Sequence, residues 1–343
     1  MGWEATLMNA LVTGGGGFLG GAIVRRLIQR GDDVRSFSRG HYPELKEIGA
    51  EHFQGDIADA KAVTEVAQGC DIVFHAAAKP GIWGAYEEYH RTNVEGTKAV
   101  VEACQNNEIR RLVYTSSPSA VFDGQDMEGV DESVPYPDHF EAHYPKTKAI
   151  GEQIVLQANS EELATVSLRP HLIWGPGDNH LILRIIEKGR AGQLRRIGDR
   201  PCKVDTVYID NAASAHLLAA DRLSPGSEIS GRAYFISNGE PMPLWDVVNQ
   251  ILDCAGLPPV TKSVSESTAY TAGWVMELFY KLFNLRGEPR MTRFLARELS
   301  TAHWFDISAA RRDLDYEPEV SIEEGMKRLR EWLGRAQQMS DDV

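Results

Sequence analysis

The sequence of 343 residues predicts an α/β protein with a doubly wound parallel sheet. Short apolar runs alternate with helical segments through the first half, which is the order that strand–helix–strand units require. Four glycines follow the first apolar run, and hydroxyl residues end a later one. Ligands bind at the carboxyl ends of the strands in sheets of this kind. These two strand ends therefore predict a binding site at one edge of the sheet.

The elements of the first half are predicted in chain order. A strand at 10–13 precedes the glycines, and a helix with Ile23 and Leu27 on one face follows them and ends at Gly31. Later strands are predicted at 34–38, at a run ending near Gly55, and at 71–75, 111–115 and 165–169; helices are predicted at 87–107 and 144–158.

The second half has a different character. Loop-forming residues follow Pro170, and most of the remaining chain has helical patterns, with Asp210 predicted to cap a helix that runs through Ala220. We therefore expect a nucleotide-binding domain at 8–170, with returns to the sheet near 205–236, and a smaller, mostly helical substrate-binding region at 171–335.

Composition excludes several classes of function. The 36 basic and 49 acidic residues leave a net charge of −13, which disfavours binding to nucleic acid. Neither the histidines nor the cysteines show metal-binding spacing, so no metal is expected. The sequence shows no signal peptide and no apolar run of spanning length, and its isolated thiols fit a reducing compartment, so we expect a cytoplasmic protein. The four cysteines are Cys70, Cys104, Cys202 and Cys254.

The glycine run predicts a dinucleotide site. Its spacing G-x-x-G-x-x-G directly follows a predicted strand and opens a helix. Gly14 permits the tight turn, Gly17 lets the backbone approach a pyrophosphate, and Gly20 lets the helix pack close to the strand. The helix N-terminus offers free N–H groups to the phosphates. This context is that of a Rossmann-type domain.

The tip of the second strand bears on the choice between NAD and NADP. It carries Ser38 and Arg39 instead of the acidic residue that binds a ribose 2′-hydroxyl, and Arg39 is able to pair with a 2′-phosphate. The sequence therefore favours NADP, with NAD possible if Arg39 is merely solvated. Asp56, where the third strand ends, is predicted either to accept from the adenine amino group or to cap a helix.

Tyr144 and Lys148 form the candidate catalytic pair. Their spacing places them one turn apart on one helix face. A free tyrosine has a pKa near 10, and a neighbouring ammonium together with an oxidised nicotinamide would lower it toward neutrality. The pair follows Ser116 and Ser117, whose hydroxyls end a predicted parallel strand.

Several motifs together resemble the extended short-chain dehydrogenases/reductases over nearly the whole chain. They are the glycine loop, the serines after Thr115, and the segments 93–97, 144–148, 169–177 and 208–212. The serine order resembles the 3β-hydroxysteroid dehydrogenase branch more than the sugar-nucleotide epimerases. Within that branch, segments 39–43, 79–84 and 174–180 resemble the bacterial 2-alkyl-3-oxoalkanoate reductases of olefin synthesis, with sterol-4α-carboxylate 3-dehydrogenases next. The resemblance implies an NAD(P)-dependent oxidoreductase that interconverts a ketone and an alcohol on a lipid-like substrate.

The resemblance also implies roles for individual residues. Tyr144 exchanges the proton with the substrate oxygen, Lys148 keeps Tyr144 ionisable and binds the nicotinamide ribose, and Ser117 orients the oxygen. Ser116, one position earlier, is the alternative to Ser117, and Asn93 supports the helix that carries Tyr144. A homodimer is expected to form through the helices at 87–107 and 144–158. Further cofactor contacts are expected from Phe18, Leu19, Ile57, His75, Ala76, Ala77, Ala78, Pro170 and Ile173.

Both related groups act on a β-keto or β-hydroxy carboxylate with a large apolar group. An acidic protein must meet that carboxylate with a local cation, for which Lys79 is the first candidate and His180 the second. A solvated Lys79 without a role is the open alternative. Trp83 is a candidate for contact with the apolar part of the substrate.

Two other hypotheses stay open. A sugar-nucleotide epimerase or dehydratase would need a cationic diphosphate pocket, and a cofactor-sensing binding protein would not need Ser117, Tyr144 and Lys148 together. The arginines available for a diphosphate pocket are Arg184, Arg190, Arg195 and Arg196.

Residues 271–285 predict a helix with an unusually wide apolar arc. Trp274, Leu278 and Leu282 recur at helical spacing, and Glu277 and Lys281 form a narrow polar ridge. One interpretation is a helix buried in the substrate region. The other is a mobile lid over an apolar substrate, which contacts a membrane or a partner enzyme when it opens.

Overall fold

A computed structural model describes residues 7–285 and 287–341. The strands in chain order are β1 Asn9–Thr13, β2 Asp33–Ser38, β3 Glu51–Gln54, β4 Ile72–His75, β5 Arg111–Thr115, β6 Met127–Val130, β7 Ala164–Pro170, β8 Ile173–Trp174, β9 Arg196–Ile197, β10 Lys203–Val204, β11 Val207–Tyr208, β12 Arg232–Ile236, β13 Met242–Pro243, β14 Ser263–Val264 and β15 His303–Phe305. The helices are α1 Phe18–Arg30, α2 Pro43–Glu47, α3 Ala60–Ala67, α4 Tyr86–His90, α5 Gly96–Asn106, α6 His143–Gln157, α7 Ile182–Arg190, α8 Ile209–Arg222, α9 Leu244–Cys254, α10 Glu266–Leu282, α11 Arg293–Glu298, α12 Ser308–Leu314 and α13 Ile322–Asp341.

Seven strands form a parallel sheet in the order β12-β7-β5-β4-β1-β2-β3, which confirms the predicted doubly wound fold. The central strands are apolar almost throughout because helices cover both faces of the sheet. Ile23 on α1 and Ala212 on α8 belong to the core on one face, together with Val12 of β1. Val100 on α5 belongs to the core on the other face, together with Leu11 of β1.

The predicted boundaries differ from the observed ones in two informative places. The helix expected at 87–107 is continuous from α4 to α5, but a π-helical turn at Arg91–Glu95 interrupts its regular winding. Helix α8 begins at Ile209, with Tyr208 at the cap position, so Asp210 lies in the first turn and does not cap the helix.

A second, four-stranded sheet has the order β13-β10-β15-β6. Its strands are only two to four residues long, which is too short for a periodic pattern to predict. The predicted return to the main sheet is also seen, because β12 pairs with β7. Within the described ranges, no helix combines the length and apolarity needed to cross a bilayer.

Candidate functional site

The glycine loop forms the turn between β1 and α1. Gly14 has a φ of +72°, which side chains rarely allow, and its N–H donates to the Phe37 carbonyl at 2.8 Å. A Cβ on Gly14 would lie 2.8 Å from the Ala77 backbone, and one on Gly20 would lie 2.1 Å from the Gly14 carbonyl oxygen. Both positions therefore exclude a side chain, and the absence of side chains leaves the loop backbone open to a ligand.

One cavity of about 480 Å³ joins this loop to the carboxyl ends of β5 and β7. Helix α1 begins at Phe18, directly after Gly17, and the first N–H groups of a helix have no partner within it. A dinucleotide fits this cradle, because bare glycine backbone and free N–H groups suit a pyrophosphate. The predicted cofactor residues that line the cavity are Gly14, Gly17, Phe18, Leu19, Gly20, Ala76, Ala78, Tyr144, Lys148, Pro170 and Ile173.

The tip of β2 lies outside the wall of this cavity. Ser38 accepts the Gly16 N–H on its Oγ at 3.0 Å, which ties the strand tip to the glycine loop. The Arg39 side chain is exposed, while its carbonyl oxygen accepts from Gln54 at 2.8 Å. Ile57 is buried in the core and does not line the cavity.

Asp56 is bound by the protein's own groups. Its Oδ1 accepts the Ala58 N–H at 3.0 Å and its Oδ2 pairs with Arg91 at 2.8 Å; both contacts hold the pKa of Asp56 below its usual value. The cap of α3 is Asp59, whose Oδ1 accepts the Ala62 N–H at 3.2 Å. The alternative prediction of a capping role for Asp56 is therefore wrong.

Tyr144 and Ser117 face the same cavity. Tyr144 lies in the first turn of α6, and Ser117 directly precedes a short 3₁₀ turn after β5. Burial raises the pKa of Tyr144 to about 12, while the neighbouring Ser117 hydroxyl, which lies 2.9 Å from the Ser119 hydroxyl, acts in the opposite direction. Ser116 also reaches the cavity wall, but its hydroxyl is buried on the side of Glu152. The geometry therefore favours Ser117 over Ser116 as the partner of Tyr144.

Lys148 is only 2% exposed, and its ammonium is held by two groups. Nζ donates to the Tyr114 hydroxyl at 2.8 Å and to the Thr115 carbonyl at 2.6 Å. Burial lowers the pKa of Lys148 to about 7, against an opposing effect of the Glu152 charge. Lys148 alone therefore does not produce the expected lowering of the Tyr144 pKa. Sequence reasoning missed Tyr114, whose hydroxyl carries no sequence signal inside an apolar strand.

Two polar residues stabilise the surroundings of Lys148. The Nδ2 of Asn93 donates to Thr147 at 3.0 Å, and its Oδ1 accepts the Lys79 N–H at 2.7 Å, so Asn93 ties α6 to the loop after β4. His75 is buried, its Nε2 contacts the Thr97 hydroxyl at 3.1 Å, and burial lowers its pKa to about 3. His75 does not line the cavity, in contrast to its expected role.

A buried ion pair joins α6 to β7. Glu152 accepts from Arg169 at 2.6 Å, from Ser167 at 2.8 Å and from Tyr136 at 2.7 Å, and both charged side chains are nearly inaccessible. These contacts lower the pKa of Glu152 against the opposing effect of burial. Glu152 lies one turn after Lys148, so the pair fixes the helix that carries the catalytic candidates. Sequence analysis missed this pair. The i,i+4 spacing of Glu152 from Lys148 was a usable signal, because it places both side chains on one face of the helix.

The far wall of the cavity combines apolar and titratable side chains. Phe122, Met127, Phe294 and Phe305 supply apolar surface, as expected for a lipid-like substrate. His171, Glu298 and His303 also line this wall, and none was predicted. Within the residues that the structure describes, no group of acidic, histidine and cysteine side chains is arranged to hold a metal ion.

The three residues predicted to contact the substrate, Lys79, Trp83 and His180, differ in their position relative to the cavity. Lys79 does not line the cavity; its ammonium pairs with Glu88 at 2.8 Å. Trp83 packs edge-on against Tyr280 of α10, with ring centroids 6.0 Å apart, and directly follows Gly81 and Ile82, which line the cavity. His180 is exposed and lines the cavity.

The arginines considered for a diphosphate pocket do not converge. Arg184 lines the cavity and pairs with Glu288. The other three arginines, which do not line it, are Arg190, Arg195 and Arg196.

The buried face of helix α10 consists of Ala269, Gly273 and Glu277. Glu277 is only 7% exposed, and its carboxylate accepts the Arg293 N–H at 2.7 Å and the Arg293 Nε at 2.9 Å. The interpretation of 271–285 as a buried core helix is therefore wrong, because Gly273 and Glu277 are its only buried residues and Lys281 of the polar ridge is exposed. The exposed apolar side chains are Trp274, Val275, Leu278, Phe279, Leu282, Phe283 and Leu285.

Comparison with known proteins gives consistent matches. The model of the 3-beta hydroxysteroid dehydrogenase/isomerase family matches residues 11–264. A 2-alkyl-3-oxoalkanoate reductase of Stenotrophomonas maltophilia is 53% identical across 94% of this chain and 98% of the relative. A decarboxylating sterol-4-alpha-carboxylate 3-dehydrogenase of Schizosaccharomyces pombe is 36% identical across 95% and 98%.

Solved structures match over similar lengths. The crystal structure of gox2253 has a TM-score of 0.78 and 26% identity, across 95% of this chain and 98% of that one. The UDP-glucuronic acid 4-epimerase of Bacillus cereus, solved with NAD, has a TM-score of 0.73 and 21% identity, across 95% and 99%. At 21% identity the likeness shows the fold alone.

Proposed function

This chain belongs to the 3-beta hydroxysteroid dehydrogenase/isomerase family, and on that premise we propose that it reduces a 2-alkyl-3-oxoalkanoate to the 2-alkyl-3-hydroxyalkanoate with NADPH. One observation carries the proposal: Ser117, Tyr144 and Lys148 stand in one cavity between the glycine loop and an apolar far wall. The 53% identical relative with that reductase name supports this substrate class over a sterol.

Each residue of the site has its own role in the proposed ketone reduction. A nicotinamide cofactor, when bound beside Pro170 and Ile173, supplies the hydride. Ser117 and Tyr144 donate hydrogen bonds to the ketone oxygen, and Tyr144 gives up its proton as that oxygen becomes an alcohol. A raised pKa suits this role, because Tyr144 begins the reduction fully protonated. Lys148 holds the end of β5 and offers its ammonium to the cofactor ribose.

Two alternatives are weaker. A sterol-4-carboxylate 3-dehydrogenase is supported by the 36% identical relative, whose name describes oxidation next to a carboxylate. A sugar-nucleotide epimerase would need several cations around a diphosphate, and only Arg184 of the four candidate arginines lines the cavity.

A substrate panel tests the proposal. Cofactor oxidation is measured with a long-chain 2-alkyl-3-keto acid, a 3-ketosteroid and a UDP-sugar, each with NADPH and with NADH. We expect the keto acid with NADPH to give the highest kcat/KM. A higher kcat/KM with the steroid, or epimerisation of the UDP-sugar, would contradict the assignment.

Cofactor choice is expected to depend on Ser38 and Arg39. The double change Ser38→Asp and Arg39→Ala places a carboxylate near the 2′-phosphate and removes its cation, so the NADPH/NADH ratio of kcat/KM should fall about tenfold or more. An aspartate oxygen at position 38 still accepts the Gly16 N–H, which preserves the loop. Lys46→Ala, which removes an exposed cation on α2, is the matched control and should leave the ratio unchanged. An unchanged ratio in the double variant would mean that the 2′-phosphate is recognised elsewhere.

Helix α10 is proposed as a lid over the apolar part of the substrate, because it packs on Trp83, the residue after the cavity-lining Gly81 and Ile82. Exchanging Leu278 and Leu282 for serine should raise KM for long-chain substrates about tenfold and leave short-chain KM and the Tm nearly unchanged. Leu278 and Leu282 are 42% and 69% exposed, so the change removes little packing. Leu7→Ser, at 61% exposure beside β1, is the matched control. Equal effects on both chain lengths would contradict the lid. Contact of this face with a membrane or a partner enzyme stays a prediction.

Two broader expectations remain proposals. All four cysteines are buried free thiols, which supports a reducing compartment such as the cytoplasm. A homodimer through the helix from α4 to α5 and helix α6 is expected from the family resemblance.

A further inference from the structure

A chain of titratable groups runs along the far wall of the cavity. His171 Nδ1 is 2.6 Å from Asp205 Oδ1, and His171 Nε2 is 3.1 Å from His303 Nδ1. His303 Nε2 is 2.8 Å from the backbone carbonyl oxygen of Glu298. His171, His303 and Glu298 line the same cavity as Tyr144.

The hydrogen bonds assign the protons in this chain. A carbonyl oxygen only accepts, so Nε2 of His303 carries a proton and donates to Glu298. Burial lowers the pKa of His303 to about 4, so its Nδ1 is unprotonated and accepts from Nε2 of His171. Nδ1 of His171 donates in turn to Asp205, whose other oxygen accepts a backbone N–H at 3.0 Å. His171 therefore lies between Asp205 and His303, with one ring nitrogen directed at each.

This assignment leaves the Glu298 side chain as the polar group available to a ligand. Both ring nitrogens of His171 and of His303 are engaged. Within residues 7–285 and 287–341, no hydrogen bond or ion pair reaches the Glu298 carboxyl group. Burial raises the pKa of Glu298, and the charge of His171 acts in the opposite direction. A half-buried carboxyl group without a partner in a substrate cavity is a candidate functional group.

We propose that the protonated side chain of Glu298 donates a hydrogen bond to the carboxylate of the substrate. The inference rests on the proposed function. In a 3-keto acid the carboxyl carbon is two bonds from the reacting carbon, so its binding group must lie deep in the cavity with Tyr144. Glu298 and Tyr144 line the same cavity, so both side chains face the space that one substrate would occupy. Lys79 and Arg184 are instead paired with acidic residues.

The same contact protects the substrate from decarboxylation. Loss of carbon dioxide breaks the bond between C1 and C2, and its electron pair moves toward the carbonyl group. Ser117 and Tyr144 favour that movement, because they donate hydrogen bonds to the ketone oxygen. A donor on the carboxylate opposes it by keeping the negative charge on the carboxylate oxygens. Glu298 therefore serves selectivity for reduction as well as binding.

The test uses the reaction in the oxidation direction, where the substrate is chemically stable. We compare kcat/KM for a 2-alkyl-3-hydroxy acid with that for the secondary alcohol that lacks only the carboxyl group. Wild-type protein should prefer the acid. Glu298→Leu should reduce this preference about tenfold or more, mainly through KM, because a hydrogen bond to a charged group is lost. Glu298→Gln should retain the preference within about threefold, because an amide N–H also donates.

The pH dependence supplies a readout that a packing role would not change. The titratable groups that face Glu298 are His171 with Asp205, His303 and Tyr144. As pH rises through the raised pKa of Glu298, its carboxylate forms and repels the substrate, so the wild-type KM for the acid should rise. The alcohol should lack this rise, and Glu298→Gln should abolish it for the acid.

The outcomes separate the two proposals. Arg184→Met is the control for the cavity rim, and it should keep the preference for the acid. Equal losses on acid and alcohol in Glu298→Leu, or loss of the preference in Arg184→Met alone, would overturn the role of Glu298. Wild-type protein that oxidises neither compound would overturn the proposed function and this inference with it.

Discussion

Replacing Tyr144 by phenylalanine is expected to lower kcat for ketone reduction by about 10²–10⁴-fold, because it removes the proton donor of the reaction. The phenyl ring keeps the packing of the first turn of α6, so the Kd of the cofactor should change little. Steady-state rates and cofactor titration by fluorescence measure the two quantities separately.

The matched control is Tyr86→Phe. Tyr86 is a partly buried tyrosine on α4 outside the cavity, and it should keep normal kcat. Near-normal turnover of Tyr144→Phe would remove Tyr144 from the mechanism. Equal losses in both variants would point to a general effect on the fold.

Glu152→Ala is expected to lower the free energy of unfolding by about 3–5 kcal/mol, because it leaves the Arg169 guanidinium buried without its counter-ion. Urea unfolding at pH 7 measures this loss. The folded-state pKa of Glu152 is lowered, so the stability it contributes is present above its unfolded pKa of about 4.3 and is lost as pH falls. The difference between wild type and variant should therefore shrink in acid.

The double variant Glu152→Leu with Arg169→Met is the control for this prediction. It replaces both charges by apolar side chains of similar size, and most of the stability should return. A loss below about 1 kcal/mol in Glu152→Ala would show that the pair contributes little net stability.

Local patterns predicted the main sheet and its nucleotide loop because these depend on short-range chemistry. Gly14 adopts a positive φ, and Gly20 has no room for a Cβ. Because only glycine meets both demands, the spacing of the glycines predicts the loop. Tyr144 and Lys148 were found in the same way, since helical spacing places them on one face. The structure confirms the fold and brings both residues to one cavity.

The residues of the far wall of the cavity could not be predicted from the sequence, because segments far apart in the chain form this wall. His171 and His303 are 132 positions apart; His171 follows β7 of the main sheet and His303 lies on β15 of the small second sheet. The interpretation of 271–285 as a buried helix was wrong for a different reason. An apolar arc is normally the buried face, but here Glu277 is buried because Arg293 satisfies its carboxylate.

Hydride transfer to a 2-alkyl-3-keto acid is the most direct test of the central claim. The protein is incubated with NADPH deuterated at C4 of the nicotinamide on the transferred face, and the product is analysed by mass spectrometry. We predict a 2-alkyl-3-hydroxy acid with one deuterium at C3, formed at a strongly reduced rate by Tyr144→Phe. Cofactor oxidation without a labelled hydroxy acid, or no consumption of the keto acid beyond its spontaneous decarboxylation, would contradict the proposed reaction.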